Sequence, residues 1–140
     1  MILLDYTNLS DIERTAQQML FLAKNYKIWA FYGEMGSGKT TIIAELVRQL
    51  NSIIEATSPT FSIVNEYPTK KGTSVFHFDF YRIKDIKELM EIGIEEYIEQ
   101  AEYIFIEWPQ IFEPILNYYN YLKIELILDE AGNRRMNLYV

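Results

Sequence analysis

Apolar and polar positions along the chain alternate between a helical and a strand period, and the switches mark its elements. Ile12, Ala16, Met19 and Ala23 recur at helical spacing behind Ser10 and Glu13, a capping-box pair. That spacing predicts a first helix of about four turns ending near Tyr26. The run from Lys27 to Tyr32 is short, apolar and aromatic-rich and stops at Gly33, which predicts a buried strand. Ile42, Leu46 and Leu50 then predict a helix over Gly38 to Leu50, with Asn51 as its terminator. Phe61 to Tyr67 and Ser74 to Arg82 read as two strands of a hairpin joined by the turn PTKKG. After Asp85 the chain is acidic and helical, with a break at Gly93, and YIFIEW resumes as a buried strand stopped by Pro109. The tail offers two more strands, Tyr121 to Leu128 and Arg134 to Val140, around the turn DEAGN.

Composition narrows the class. Hydrophobic residues at 49% and charged ones at 24% of 140 residues fit one globular domain over residues 1–140, with no repeat and no dividing linker. No apolar run reaches the roughly 18 to 20 residues that cross a bilayer, and MILLDYTNLSD lacks the marks of a signal peptide. The expectation is a cytoplasmic chain with no membrane partner. With no cysteine, disulfides and thiolate metal sites are excluded, and the single histidine, His77, leaves little scope for zinc or a Ser-His-Asp arrangement. Mg²⁺ chemistry stays open. Twenty acidic residues against thirteen basic ones leave a net charge of −7, which argues against direct binding of a polyanion.

Between the predicted strand and helix lies GEMGSGKTT, Gly33 to Thr41, in which Gly33, Gly38, Lys39 and Thr40 satisfy G-x-x-x-x-G-K-[ST]. Gly33, Gly36 and Gly38 let the backbone N–H groups of Glu34, Met35, Ser37 and their neighbours through Thr41 converge on an anion, and the helix N-terminus adds positive potential. Lys39 would place its charge on the β- and γ-phosphates of a nucleotide, and the Thr40 hydroxyl could bind Mg²⁺. Chance should produce the pattern in under about 1% of chains this long. Two carboxylates qualify for metal or water: Glu107, emerging where an all-apolar strand ends, and Asp79 in FHFDFY. Phe76, Phe78 and Phe80 would share one face there, leaving His77, Asp79 and Tyr81 on another that serves a site or faces solvent. Thr57, Ser58 and Thr60 around Pro59 read either as a switch loop or as a polar turn. Trp108 reads either as core packing or as a lid.

These separated motifs together resemble the TsaE (YjeE) family, small P-loop ATPases of bacterial threonylcarbamoyladenosine tRNA modification. GEMGSGKTT, SPTFSIVNEY, FHFDFYRI, ELMEIGIEEY and IEWPQ occur in family order, with NRR near the end resembling a late family arginine. The resemblance implies Lys39 and Thr40 as phosphate and Mg²⁺ ligands, Glu107 as the second protein group at Mg²⁺, and Thr60 in the switch loop. It further implies Asp79 in hydrolysis, Trp108 beside the nucleotide, and Arg134 as a nucleotide contact. Implied partners are TsaD and its paralogue TsaB, with tRNA reached only through them.

The expected fold is therefore α/β: a three-layer P-loop NTPase with a mainly parallel central sheet and added antiparallel hairpin strands. Two rival functions stand beside an ATPase: a small-molecule kinase and a binding module gated by nucleotide. The segment from Asp85 to Glu102, with seven carboxylates, reads as a solvated face or a docking surface.

Overall fold

The computed structural model describes residues 1–6, 8–57 and 63–140. Among the described residues one seven-stranded sheet organises the chain, in the order β1-β7-β6-β2-β5-β4-β3. Its strands are β1 (Ile2–Asp5), β2 (Ile28–Tyr32), β3 (Val64–Pro68), β4 (Ser74–Asp79), β5 (Tyr103–Glu107), β6 (Tyr121–Leu128) and β7 (Arg134–Tyr139). The four central strands run parallel: β6 beside β2, β2 beside β5, β5 beside β4. Antiparallel strands extend both ends, with β3 on β4 and with β7 then β1 beyond β6. The expected parallel centre with antiparallel additions is thus present, although β1 is contributed by the amino terminus and forms no hairpin.

Strand alternation gives the sheet two apolar faces, because odd and even residues of a strand point to opposite sides. Helices α1 (Ile12–Leu22) and α2 (Lys39–Gln49) cover one face, where Met19, Ile42 and Leu46 pack on Trp29, Phe31, Phe105 and Ile124. The other face holds Ala30, Phe76, Phe78, Ile104 and Ile106 under α3 (Ile86–Glu91), α4 (Ile94–Gln100) and α5 (Glu113–Leu116). Gly93, at φ 72°, separates α3 from α4 in a left-handed conformation, which accounts for the predicted break.

Several expectations need correction. Ser10 does not cap α1: Leu9–Asp11 forms a 3-10 turn, and the Asp11 carboxylate accepts from Arg14 at 3.3 Å instead of capping. The helix ends at Leu22, where Ala23 leaves helical geometry so that the chain can turn toward β2. The β4 strand stops at Asp79 rather than Arg82, since the Asp79 carboxylate accepts from the Tyr81 N–H and bends the chain. Neither β1 nor α5 was expected. Both are only four residues long, too short for a period to show. The expected strand start at Phe61 lies outside the described residues, as does Thr60.

Candidate nucleotide site

The carboxyl ends of β2, β4 and β5 lie along one sheet edge, with β5 and β6 on opposite sides of β2. Open α/β sheets bind ligands at such an edge. The loop after Tyr32 crosses it and enters α2 at Lys39. Gly36 and Gly38 take φ of 79° and 101°, backbone that side chains oppose. A Cβ on Gly38 would also lie 3.2 Å from both the Arg134 guanidinium and the Tyr6 hydroxyl.

Register then brings distant residues together. Asp79 pairs with Glu107, and Glu107 with Phe31, so both carboxylates share the face that α2 covers. Glu107 is 3% exposed, and both its oxygens face the Thr40 hydroxyl, at 3.0 and 3.1 Å. Its Oε2 also lies 2.6 Å from Nε2 of His77, itself 1% exposed. The Lys39 ammonium donates to the carbonyls of Gly33 and Glu34 and sits 3.7 Å from the centre of the Trp108 ring. The Tyr81 ring leans on the same indole, with centroids 5.0 Å apart. Trp108 holds φ 54°, unusual for a bulky side chain, immediately before Pro109.

A cavity of about 290 Å³ results, lined by the loop from Glu34 to Thr41 and by Asp79, Tyr81, Glu107, Trp108 and Arg134. Gly33 lines an adjoining cavity with Ser37. Of the residues singled out from sequence, Ser58 and Thr60 lie outside the described residues and Thr57 bonds the Tyr67 hydroxyl and lines neither cavity; Gly33 to Thr41, Asp79, Glu107, Trp108 and Arg134 meet at these two cavities. Sequence reasoning missed the contact of His77 with Glu107, the Tyr81 ring and the Tyr6 hydroxyl. For His77 and Tyr81 there was a signal, their places two residues either side of Asp79 on one expected strand face; for Tyr6 there was none.

Burial sets the electrostatics. It lowers the proton affinity of Lys39, opposed by the carboxylates of Glu107 and Asp79. It raises that of Asp79, opposed by the Tyr81 N–H and reinforced by Glu107. The site also has spare hydrogen-bonding capacity, because Ser37 Oγ is buried there without a partner among the described residues. A hydroxyl and a carboxylate within 3.1 Å are hard oxygen donors of the kind Mg²⁺ takes, with phosphate and water completing its shell. The donor set fits that ion.

Comparison with known proteins agrees with this geometry. The profile of the family described as "Threonylcarbamoyl adenosine biosynthesis protein TsaE" matches residues 6–136. Proteins named tRNA threonylcarbamoyladenosine biosynthesis protein TsaE include one from Aquifex aeolicus, 32% identical over 92% of this chain and 89% of its own length. The protein of that name from Rickettsia felis is 32% identical over 77% of this chain, and that from Haemophilus influenzae 34% over 60%. For these two the match spans only 64% and 52% of the relative's length. A solved structure, "Crystal structure of Bacillus subtilus YdiB", shares the fold at a TM-score of 0.70 and 20% identity, over 98% of this chain and 83% of that one. The chain belongs to the TsaE family.

Proposed function

We propose that residues 1–140 form a single P-loop NTPase domain that binds ATP with Mg²⁺ in this cavity and hydrolyses it slowly when alone. The activity would serve threonylcarbamoyladenosine formation at position 37 of tRNA, through a TsaB–TsaD pair that handles the tRNA. What carries the reading is the convergence of Lys39, Thr40, Asp79, Glu107, Trp108 and Arg134, from separate segments, on one cavity roofed by the loop before α2.

The residues divide the work. Loop N–H groups and the α2 N-terminus hold the phosphates. Lys39 is partly desolvated and bonded to neutral carbonyls and a ring, partners that an anionic phosphate oxygen outcompetes. Thr40 and Glu107 hold Mg²⁺, which when bound neutralises charge shared by the β- and γ-phosphates. Trp108 and Arg134 flank the nucleotide. Glu107 is committed to Thr40 and His77, whereas Asp79 accepts from the Tyr81 N–H, and burial raises its proton affinity. Asp79 is therefore the group that orients the attacking water. Thr60 completes the reading as the switch residue. No arginine of the chain follows a finger pattern, and lacking one costs about 10³ to 10⁵ in rate, hence slow turnover without partners.

ATP affinity and turnover of Lys39→Ala and Glu107→Ala, each with and without TsaB–TsaD, test this. The lysine variant is expected to lose both, by about 10-fold or more in affinity given the worth of charge-assisted bonds. The glutamate variant should lose mainly turnover and metal dependence. Unchanged turnover in both would remove the site assignment. Phosphate transfer to a nucleoside would favour a kinase, and no stimulation by the pair would favour a nucleotide-gated binding module.

A further inference from the structure

Below the Asp79–Glu107 pair, the next residues on that face are His77 and Phe105, which pair across β4 and β5. His77 therefore sits diagonally beneath Glu107, close enough for Nε2 to reach Oε2 at 2.6 Å. The ring is as buried as its neighbours Val75 and Phe105, with Asn65 paired to it across β3 and Asp79 next on the same face of β4. For Glu107 as the ionised carboxylate that Mg²⁺ would take, a proton count gives the direction of the bond. Thr40 has one hydroxyl hydrogen, shared between the two oxygens of Glu107, and an ionised carboxylate only accepts. The hydrogen between His77 and Glu107 must then be carried by Nε2.

We infer that His77 is the positioning residue for the metal-binding carboxylate: its Nε2–H anchors Glu107 Oε2, leaving Oε1 to be offered at Thr40. This rests on the nucleotide–Mg²⁺ reading and deepens it. A glutamate has three side-chain torsions, and a ligating carboxylate fixed from behind needs no ordering when the ion arrives. The arrangement inverts the familiar one in which a carboxylate orients a ligating histidine.

Calorimetric titration of ATP into the unmodified protein, His77→Leu and His77→Gln, in EDTA and across a Mg²⁺ series, tests the anchor. His77→Leu should raise the Mg²⁺ concentration that half-maximally tightens ATP binding by about 10- to 100-fold, the usual cost of losing such a partner. Its ATP affinity in EDTA should stay that of the unmodified protein, because the phosphate loop is untouched. His77→Gln, whose amide can donate to the same oxygen, should recover most of the Mg²⁺ response. A histidine that merely filled the core would lower the unfolding temperature of the leucine variant without moving the Mg²⁺ midpoint, and that result overturns the inference. A second measurement needs no variant and no metal: as the only imidazole in the chain, His77 gives an unambiguous ¹⁵N spectrum. A proton on Nε2 is expected, and an unprotonated Nε2 overturns the anchor even if His77→Leu fails to fold. The two levels separate cleanly. Unmodified protein that ignores Mg²⁺ refutes the nucleotide–metal reading and the anchor with it, whereas a strong Mg²⁺ response matched by His77→Leu refutes the anchor alone.

Discussion

The two faces of the sheet are built from the same strands and end in opposite chemistry. Under α3 to α5, Ala30, Ile106 and Phe78 form a dry row, and the aromatic rings of Phe76, Phe78, Phe80, Tyr97 and Phe112 meet mostly edge to face. Under α1 and α2, the row Ile124, Phe31, Glu107, Asp79 passes from apolar to acidic across four parallel strands. One face buries surface and little else. The other accepts the desolvation of Lys39, His77 and Glu107, tolerable because each is hydrogen-bonded to a neighbour. Both faces bury apolar core, and side-chain parity along β4 and β5 confines the chemistry to one of them.

Substitutions that act on one face alone should break this division most visibly. Phe78→Ala on the dry face is expected to cost about 3–5 kcal/mol of stability, read as a lower denaturant midpoint. Below its unfolding temperature the variant should still bind ATP normally, and a matching loss of affinity would show the faces to be coupled. A smaller effect is expected at the loop. Gly38→Ala forces a side chain to φ 101° against Arg134 and Tyr6, costing about 1–2 kcal/mol, and should weaken ATP as well. Intact affinity would mean that the loop reshapes freely.

Asp79→Asn should produce the smallest change in stability, and of the opposite sign. Burial raises the proton affinity of Asp79 in the folded protein above its ordinary 3.8, so the native state holds the proton more tightly than the unfolded chain. Stability then falls as pH rises from about that value through the elevated folded one. The amide removes this penalty while still accepting from the Tyr81 N–H. At pH 7 the variant should melt slightly higher and turn over ATP more slowly, and below the ordinary carboxylate range its advantage should vanish. A lower melting point at pH 7 would mean that ionised Asp79 stabilises the fold.

Much of the scaffold was legible because its signals are local. The aromatic run ending at Tyr32, the glycines before Lys39 and the Ile42–Leu46 spacing each lie within one element, and β2, the loop and α2 follow them. Glu107 was legible at the end of β5 for the same reason. Less visible were β1, which pairs with β7 at the far end of the chain, and the 3-10 entry to α1. Asp79 was ambiguous from pattern because its face could have been solvated. Insertion of β5 beside β4, under the α2 layer, half-buries it and sets it opposite Glu107.

The sequence by itself determined the residue types of the site: glycines where the chain must turn left-handed, a lysine and threonine opening a helix, a carboxylate closing an apolar strand. These follow from backbone sterics and periodicity over a few residues. Only the tertiary structure decided which of them meet: Thr40 with Glu107, His77 beneath that carboxylate, Trp108 over Lys39, Arg134 and Tyr6 around Gly38. Those contacts depend on strand order and register, which are fixed by burial of the whole sheet and have no local trace.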